Sequence, residues 1–141
     1  MKKSYVYLAV ILLILVVFAI APNIKGHTQQ VKVISASGAA KYLNPADRPV
    51  LFFAPWCHLC DDVLKEIAKL PQEKQPVLVG ALLRSKSEVQ SALVKAQNAG
   101  LSGNVYFTDL DPGSVPALLT KNSRYIKDPA AICSYLKGGN I

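Results

Sequence analysis

Two cysteines three residues apart, Cys57 and Cys60 in the stretch Trp56-Cys57-His58-Leu59-Cys60, are the side chains of this sequence best suited to covalent chemistry. On a helix that spacing sets both sulfurs on one face, with Cα atoms near enough for an unstrained disulfide. The flanking pattern puts Cys57 at the amino terminus of a helix. Unpaired N–H groups and the positive end of the dipole there favour a thiolate, against a free pKa of about 8.5. Cys57 is therefore the expected nucleophile. Cys60, one turn further in and more buried, is the expected resolving thiol, which attacks a mixed disulfide and releases the bound partner.

Other uses of such a pair need more than the sequence offers. A zinc site needs two further ligands, and Cys133, His58 and His27 are the spare candidates, with no second C-x-x-C. Haem attachment needs a histidine directly after the second cysteine, where this chain has Asp61. A purely structural disulfide across so short a span would constrain little chain entropy. Redox chemistry is the expectation, with metal binding and a structural bond as the alternatives. Cys133, beside Ile132 and Leu136, reads as a packed thiol, with a third redox role left open.

The elements that must position the pair can be read from periodicity. Residues 30–34 alternate as a first strand, and residues 37–43 form a short helical candidate closed by Asn44-Pro45. Residues 49–54 (Val50, Leu51, Phe52, Phe53) are a continuous apolar run, the mark of a strand buried on both faces. From Cys60 the period changes to that of a helix, with Val63, Leu64, Ile67 and Leu70 on one side and Pro71 as its stop. A second buried strand follows over 76–83, then a helix over 87–99 with Val89, Leu93, Val94 and Ala96 inward. Strands are expected at 104–108, at 115–120 opened by Pro116, and at 124–126 on an edge. Asp128-Pro129 caps a last helix that runs to Gly138. Strands alternating with helices give an α/β layer architecture.

The chain of 141 residues divides into three parts: an amino-terminal membrane segment over 1–22, a linker over 23–29 and one domain over 30–141. Residues 5–21 carry no charge and follow Lys2 and Lys3, a signal-peptide or anchor pattern. The run is short for a span, and Ala19-Ile20-Ala21 resembles a cleavage site, but the following Pro22 suits a peptidase cleft poorly. Retention as a single-pass anchor is the expectation, with the domain outside the cytoplasm because positive charge stays inside. From Thr28 onward 13 Lys and Arg stand against 9 Asp and Glu, a net of +4 spread along the chain. Without a basic patch and placed aromatics, nucleic-acid binding is not expected.

The segment from Phe52 to Cys60 resembles the thioredoxin active-site segment, and Ser114-Val115-Pro116-Ala117-Leu118-Leu119 resembles that family's cis-proline strand. The resemblance covers residues 30–137 and implies a thioredoxin fold, a central mixed β-sheet flanked by helices, here preceded by one transmembrane helix. It implies that Pro116 is cis and faces the dithiol, that the Val115 backbone pairs with extended substrate, and that Trp56 shields the site. The plain alternative for Pro116 is a trans proline opening an edge strand.

Two departures stand out. The buried acid common in the family six positions before the first cysteine is Leu51 here, and Asp61 and Asp62 are expected to be solvated on the outer helix face. His58-Leu59 replaces the usual Gly-Pro. An imidazolium at His58 would favour the Cys57 thiolate and make the pair more oxidising, the alternative being an exposed, unpartnered ring.

The expected activity is disulfide exchange on exported cysteine-containing proteins, with a membrane or soluble thiol redox partner and neither bound cofactor nor metal. A non-catalytic thioredoxin-fold copper carrier using Cys57, Cys60 and His58 is the alternative, weakened by the lack of a downstream histidine ligand.

Overall fold

Val31 and Val33 point inward while Lys32 and Ile34 point out, the alternation that makes β1 (Val31–Ser35) a strand with one covered face. A computed structural model of the protein describes Tyr7, Val10, Ile11 and residues 29–101, 103 and 105–138. The expected membrane span therefore lies outside the described residues except at three positions. Among the described residues no helix is long and apolar enough to cross a membrane.

The helix expected over 37–43 is instead a turn and a strand, β2 (Ala40–Leu43), antiparallel to β1 with Ile34 opposite Ala40 and Val31 opposite Leu43. The turn explains the difference. Gly38 has a φ of +88° and its N–H donates to Ser35 O at 2.9 Å, while Ser35 Oγ accepts from Ala39 N at 3.1 Å. A left-handed glycine held by a serine side chain closes a hairpin and cannot sit inside a helix.

β3 (Val50–Phe53) is buried at every position, as its unbroken apolar run requires. Strand geometry sends Val50 and Phe52 to one face and Leu51 and Phe53 to the other, so this strand anchors both halves of the core. Each of these large side chains contributes about 1.5–3 kcal/mol by leaving water. α1 (His58–Ala68) follows directly and buries Cys60, Val63, Leu64 and Ile67 along one stripe. A single 3₁₀ turn over Gln72–Lys74 leads into β4 (Val77–Gly80), which runs parallel to β3.

α2 (Ser87–Asn98) buries Ala92 and Ala96, with Val89 and Leu93 partly covered and Val94 facing out, contrary to the inward position expected for Val94. The sheet surface demands small residues there. A Cβ placed on Gly80 would lie 3.7 Å from Ala92 Cβ and only 2.9 Å from the Phe107 ring. Two alanines four residues apart let the helix approach this crowded point.

β5 (Val105–Phe107), β6 (Ala117–Leu119) and β7 (Tyr125–Ile126) complete a seven-stranded sheet of order β2-β1-β5-β4-β3-β6-β7. β4 is parallel to both its neighbours and the remaining pairs are antiparallel. α3 (Pro129–Leu136) starts as its sequence dictates, with Asp128 Oδ2 accepting from Ala131 N at 2.8 Å and Pro129 in the first turn. It packs against α1 through Ile132 and Leu136. Glu66 on α1 takes ion pairs from Lys69 and, at 3.0 Å, from Lys137 just beyond α3, and these two ammonium groups hold its carboxyl below the usual range.

α1, α2 and α3 all contribute to the cluster that contains Leu51, Phe53, Cys57 and Cys60. The opposite cluster is built from strand residues and Ala81, with Leu82, Leu110 and Val115 packed against it, and no residue of α1, α2 or α3 enters it.

The contact at Gly80 yields a direct test. Gly80→Ala is expected to lower stability by about 1–3 kcal/mol, because the added methyl must displace the Phe107 ring or push α2 off the sheet. The midpoint of urea unfolding checks this, and an unchanged midpoint would mean that the ring yields freely.

Candidate active site

The site is built at the end of β3, where Ala54 is the last residue of the buried run and the chain turns into α1. A turn closed by Cys57 N–H donating to Ala54 O at 3.2 Å lifts Pro55 and Trp56 to the surface. Cys57 then caps α1. Its backbone is extended (φ −84°, ψ 110°) and its Sγ accepts from Cys60 N–H at 3.2 Å. A sulfur thus occupies the place where a serine or aspartate oxygen normally caps a helix, and the interaction strengthens when that sulfur carries charge.

Cys57 and Cys60 form a disulfide with their Cα atoms 5.4 Å apart. Both sit among the apolar side chains of the helix-side core, Cys57 5% exposed and Cys60 fully covered. The Val115–Pro116 peptide bond is cis, the geometry the resemblance implies, and Val115 O lies 3.5 Å from Cys57 Sγ. That is the reach of an S–H···O bond once the pair is reduced. The loop before β6 is thereby brought against the amino terminus of α1.

Trp56 stands at the rim, 38% exposed. Its Nε1–H donates to Leu82 O at 3.4 Å, and the Arg84 guanidinium lies over its ring, 4.7 Å from the centroid. Leu82 adopts a φ of 55°, a left-handed conformation that turns its carbonyl toward the indole. Leu59, 58% exposed, adds a second apolar side chain to the rim. His58 is exposed and shares a surface recess with Asp61 and Lys65. His27 lies outside the described residues. Among the described residues no group of three or more His, Cys, Asp or Glu side chains is arranged to hold a metal ion.

Leu51 is buried behind the dithiol, and among the described residues Thr120 is the sole buried polar side chain. The floor beneath Cys60 is apolar. Asp61, expected to be solvated, is half-covered and ion-paired with Lys95 Nζ at 2.8 Å, a partner that sequence periodicity did not point to. Lys95 and Arg84 come from α2 and the loop before it, far from the dithiol in sequence, and nothing in local spacing ties either one to Cys57. Asp62 is exposed as expected.

Cys133 on α3 is partly covered, and burial pushes its thiol above the usual range, with the Glu66 carboxylate adding to the effect. A raised pKa leaves less thiolate at neutral pH and so lowers reactivity. Brief iodoacetamide treatment of the reduced protein at pH 7 is therefore expected to label Cys57 at least about tenfold faster than Cys133, as read by peptide mass spectrometry. Equal labelling would show that the two thiols ionise alike.

No protein-family model matches the chain, and no curated protein matches it. Solved structures do. The thioredoxin domain of a thiol–disulfide oxidoreductase from Bacteroides vulgatus superposes with a TM-score of 0.53 at 13% identity, over 80% of this chain and 95% of that one. A secreted Mycobacterium tuberculosis disulfide oxidoreductase, homologous to Escherichia coli DsbE, gives 0.50 at 15% identity, over 77% and 95%. A thioredoxin-like protein from Porphyromonas gingivalis gives 0.51 at 17% identity, over 76% and 87%.

Proposed function

The chain has the thioredoxin fold, and on that premise we propose that it is a thiol–disulfide oxidoreductase working through Cys57 and Cys60. The observation that carries this reading is the bonded pair at the start of α1, with Cys57 capping the helix and facing the carbonyl of Val115.

In the reducing direction the Cys57 thiolate attacks one sulfur of a client disulfide. A mixed disulfide forms, and the other client sulfur leaves as a thiolate that takes up a proton. Cys60, deprotonated, then attacks Cys57 Sγ, closes the internal disulfide and expels the second client thiolate. Two electrons pass to the client, and the reverse sequence oxidises a client dithiol. Val115 offers a backbone edge for an extended client, and Trp56, with Leu59, an apolar rim around the sulfur. Because the wall behind Cys60 is apolar, the proton that Cys60 loses passes to water or to the departing client sulfur.

The amino-terminal pattern of Lys2 and Lys3 before an uncharged run supports a domain tethered at the cell membrane on its extracytoplasmic side. Its clients would then be exported cysteine-containing proteins. A membrane-bound or soluble thiol protein would supply or remove the electrons.

Cys60→Ser is expected to accumulate mixed disulfides with client proteins, seen as bands that vanish on reduction, whereas Cys57→Ser accumulates none. Equilibration of the wild-type pair with glutathione gives the direction: a potential near about −270 mV marks a reductant and one near about −120 mV an oxidant. Tight stoichiometric Cu(I) binding without exchange activity would replace this reading with a metal carrier.

A further inference from the structure

Among the described residues, Lys95 is the one lysine whose ammonium group hydrogen-bonds to the turn that carries the dithiol. It lies in the last turn of α2, with its side chain 11% exposed. Its Nζ donates to Pro55 O at 3.1 Å, to Cys57 O at 2.8 Å and to Asp61 Oδ1 at 2.8 Å. Three N–H donors thus meet three acceptors, a complete set for an ammonium group. Two of the acceptors are backbone carbonyls on either side of Trp56, so the bonds fix the peptide units that set where Cys57 Sγ points. The third is the carboxylate of Asp61, the residue directly after Cys60.

Burying most of a lysine costs free energy unless its charge is used. Here the charge rests against the carbonyl of Cys57 itself. A positive group one peptide unit from the sulfur favours the thiolate, adding to the helix terminus, and Asp61 partly offsets it. The other charged or titratable groups around the recess are His58 and Lys65 on α1, with Arg84 over Trp56 from the loop before α2. On the β6 side Cys57 meets a neutral carbonyl, that of Val115.

We propose that Lys95 is a positioning residue for the dithiol: it locks the turn over residues 55–57 through two carbonyls and sets a positive charge against the carbonyl of Cys57, the residue that carries the nucleophilic sulfur. This rests on the assignment of Cys57 as the nucleophile. The lysine touches neither substrate nor sulfur in the reaction, and it acts through the backbone it holds and the field it creates.

The test is the ionisation of Cys57 in the reduced protein, followed by thiolate absorbance and by alkylation rate against pH. Lys95→Gln keeps an N–H donor but loses the charge, whereas Lys95→Arg keeps both. The expected result for Lys95→Gln is a Cys57 thiolate fraction at pH 7 reduced by roughly three- to tenfold, with Lys95→Arg near wild type. A role confined to stability would lower the melting temperature of the Gln variant and leave the ionisation curve in place, which would overturn the proposal. If Lys95→Gln does not fold, the wild type decides. The ¹⁵Nζ resonance of Lys95 is expected to shift with the same midpoint as the Cys57 absorbance, and a resonance without that inflection would overturn the proposal. Failure of the underlying assignment looks different: wild-type Cys57 would ionise like a free thiol, and no exchange with glutathione would occur.

Discussion

The bond from Cys60 N–H to Cys57 Sγ, 3.2 Å long, joins the chemistry to the architecture. It exists because β3 delivers the chain to the surface at Ala54 and a tight turn converts it to helix within three residues. A thiol at that position receives an N–H group the helix would otherwise leave unpaired. The helix-side core keeps this junction in place. Leu51 and Phe53 pin the strand to the helix side of the core, Val63, Leu64 and Ile67 pin α1, and Ile132 and Leu136 press α3 against it. The loop before β6 then closes the opposite side of the sulfur with Val115 and its cis proline.

A large part of this arrangement could be read from the residues. β3 was legible because its apolar run has no interruption, and α1 because its period shifts to that of a helix at Cys60. The last helix declared itself through Asp128 and Pro129, whose capping roles are local. Three features escaped for physical reasons. The stretch from Ser37 to Leu43 has helical spacing, and only the left-handed turn at Gly38, paired with a serine side chain, reveals the hairpin. Val94 faces out although its spacing suits the inner face, because Ala92 is the residue that meets Gly80 on β4, a contact no local spacing announces. Lys95 and Arg84 act across the fold, and no single segment encodes a contact between distant elements.

The charges near the dithiol are arranged at its rim. Beneath Cys60 the wall is hydrocarbon, with Leu51 in the place of the acid that the family resemblance would supply. Above it, Lys95 and Asp61 form a pair at the turn, and Arg84 stacks on Trp56. Lys95 is largely covered while Asp61 and Arg84 reach solvent, so salt screens the last two more than the first.

The unequal covering of the two sulfurs has a regiochemical consequence. Cys57 retains a sliver of exposed surface while Cys60 has none. Under the exchange chemistry proposed above, an incoming thiolate meets the residue with the exposed surface, Cys57, and Cys60 is the leaving sulfur, held among apolar side chains one turn away. A single mixed disulfide would then form, with the displaced thiol kept adjacent to reverse or complete the exchange.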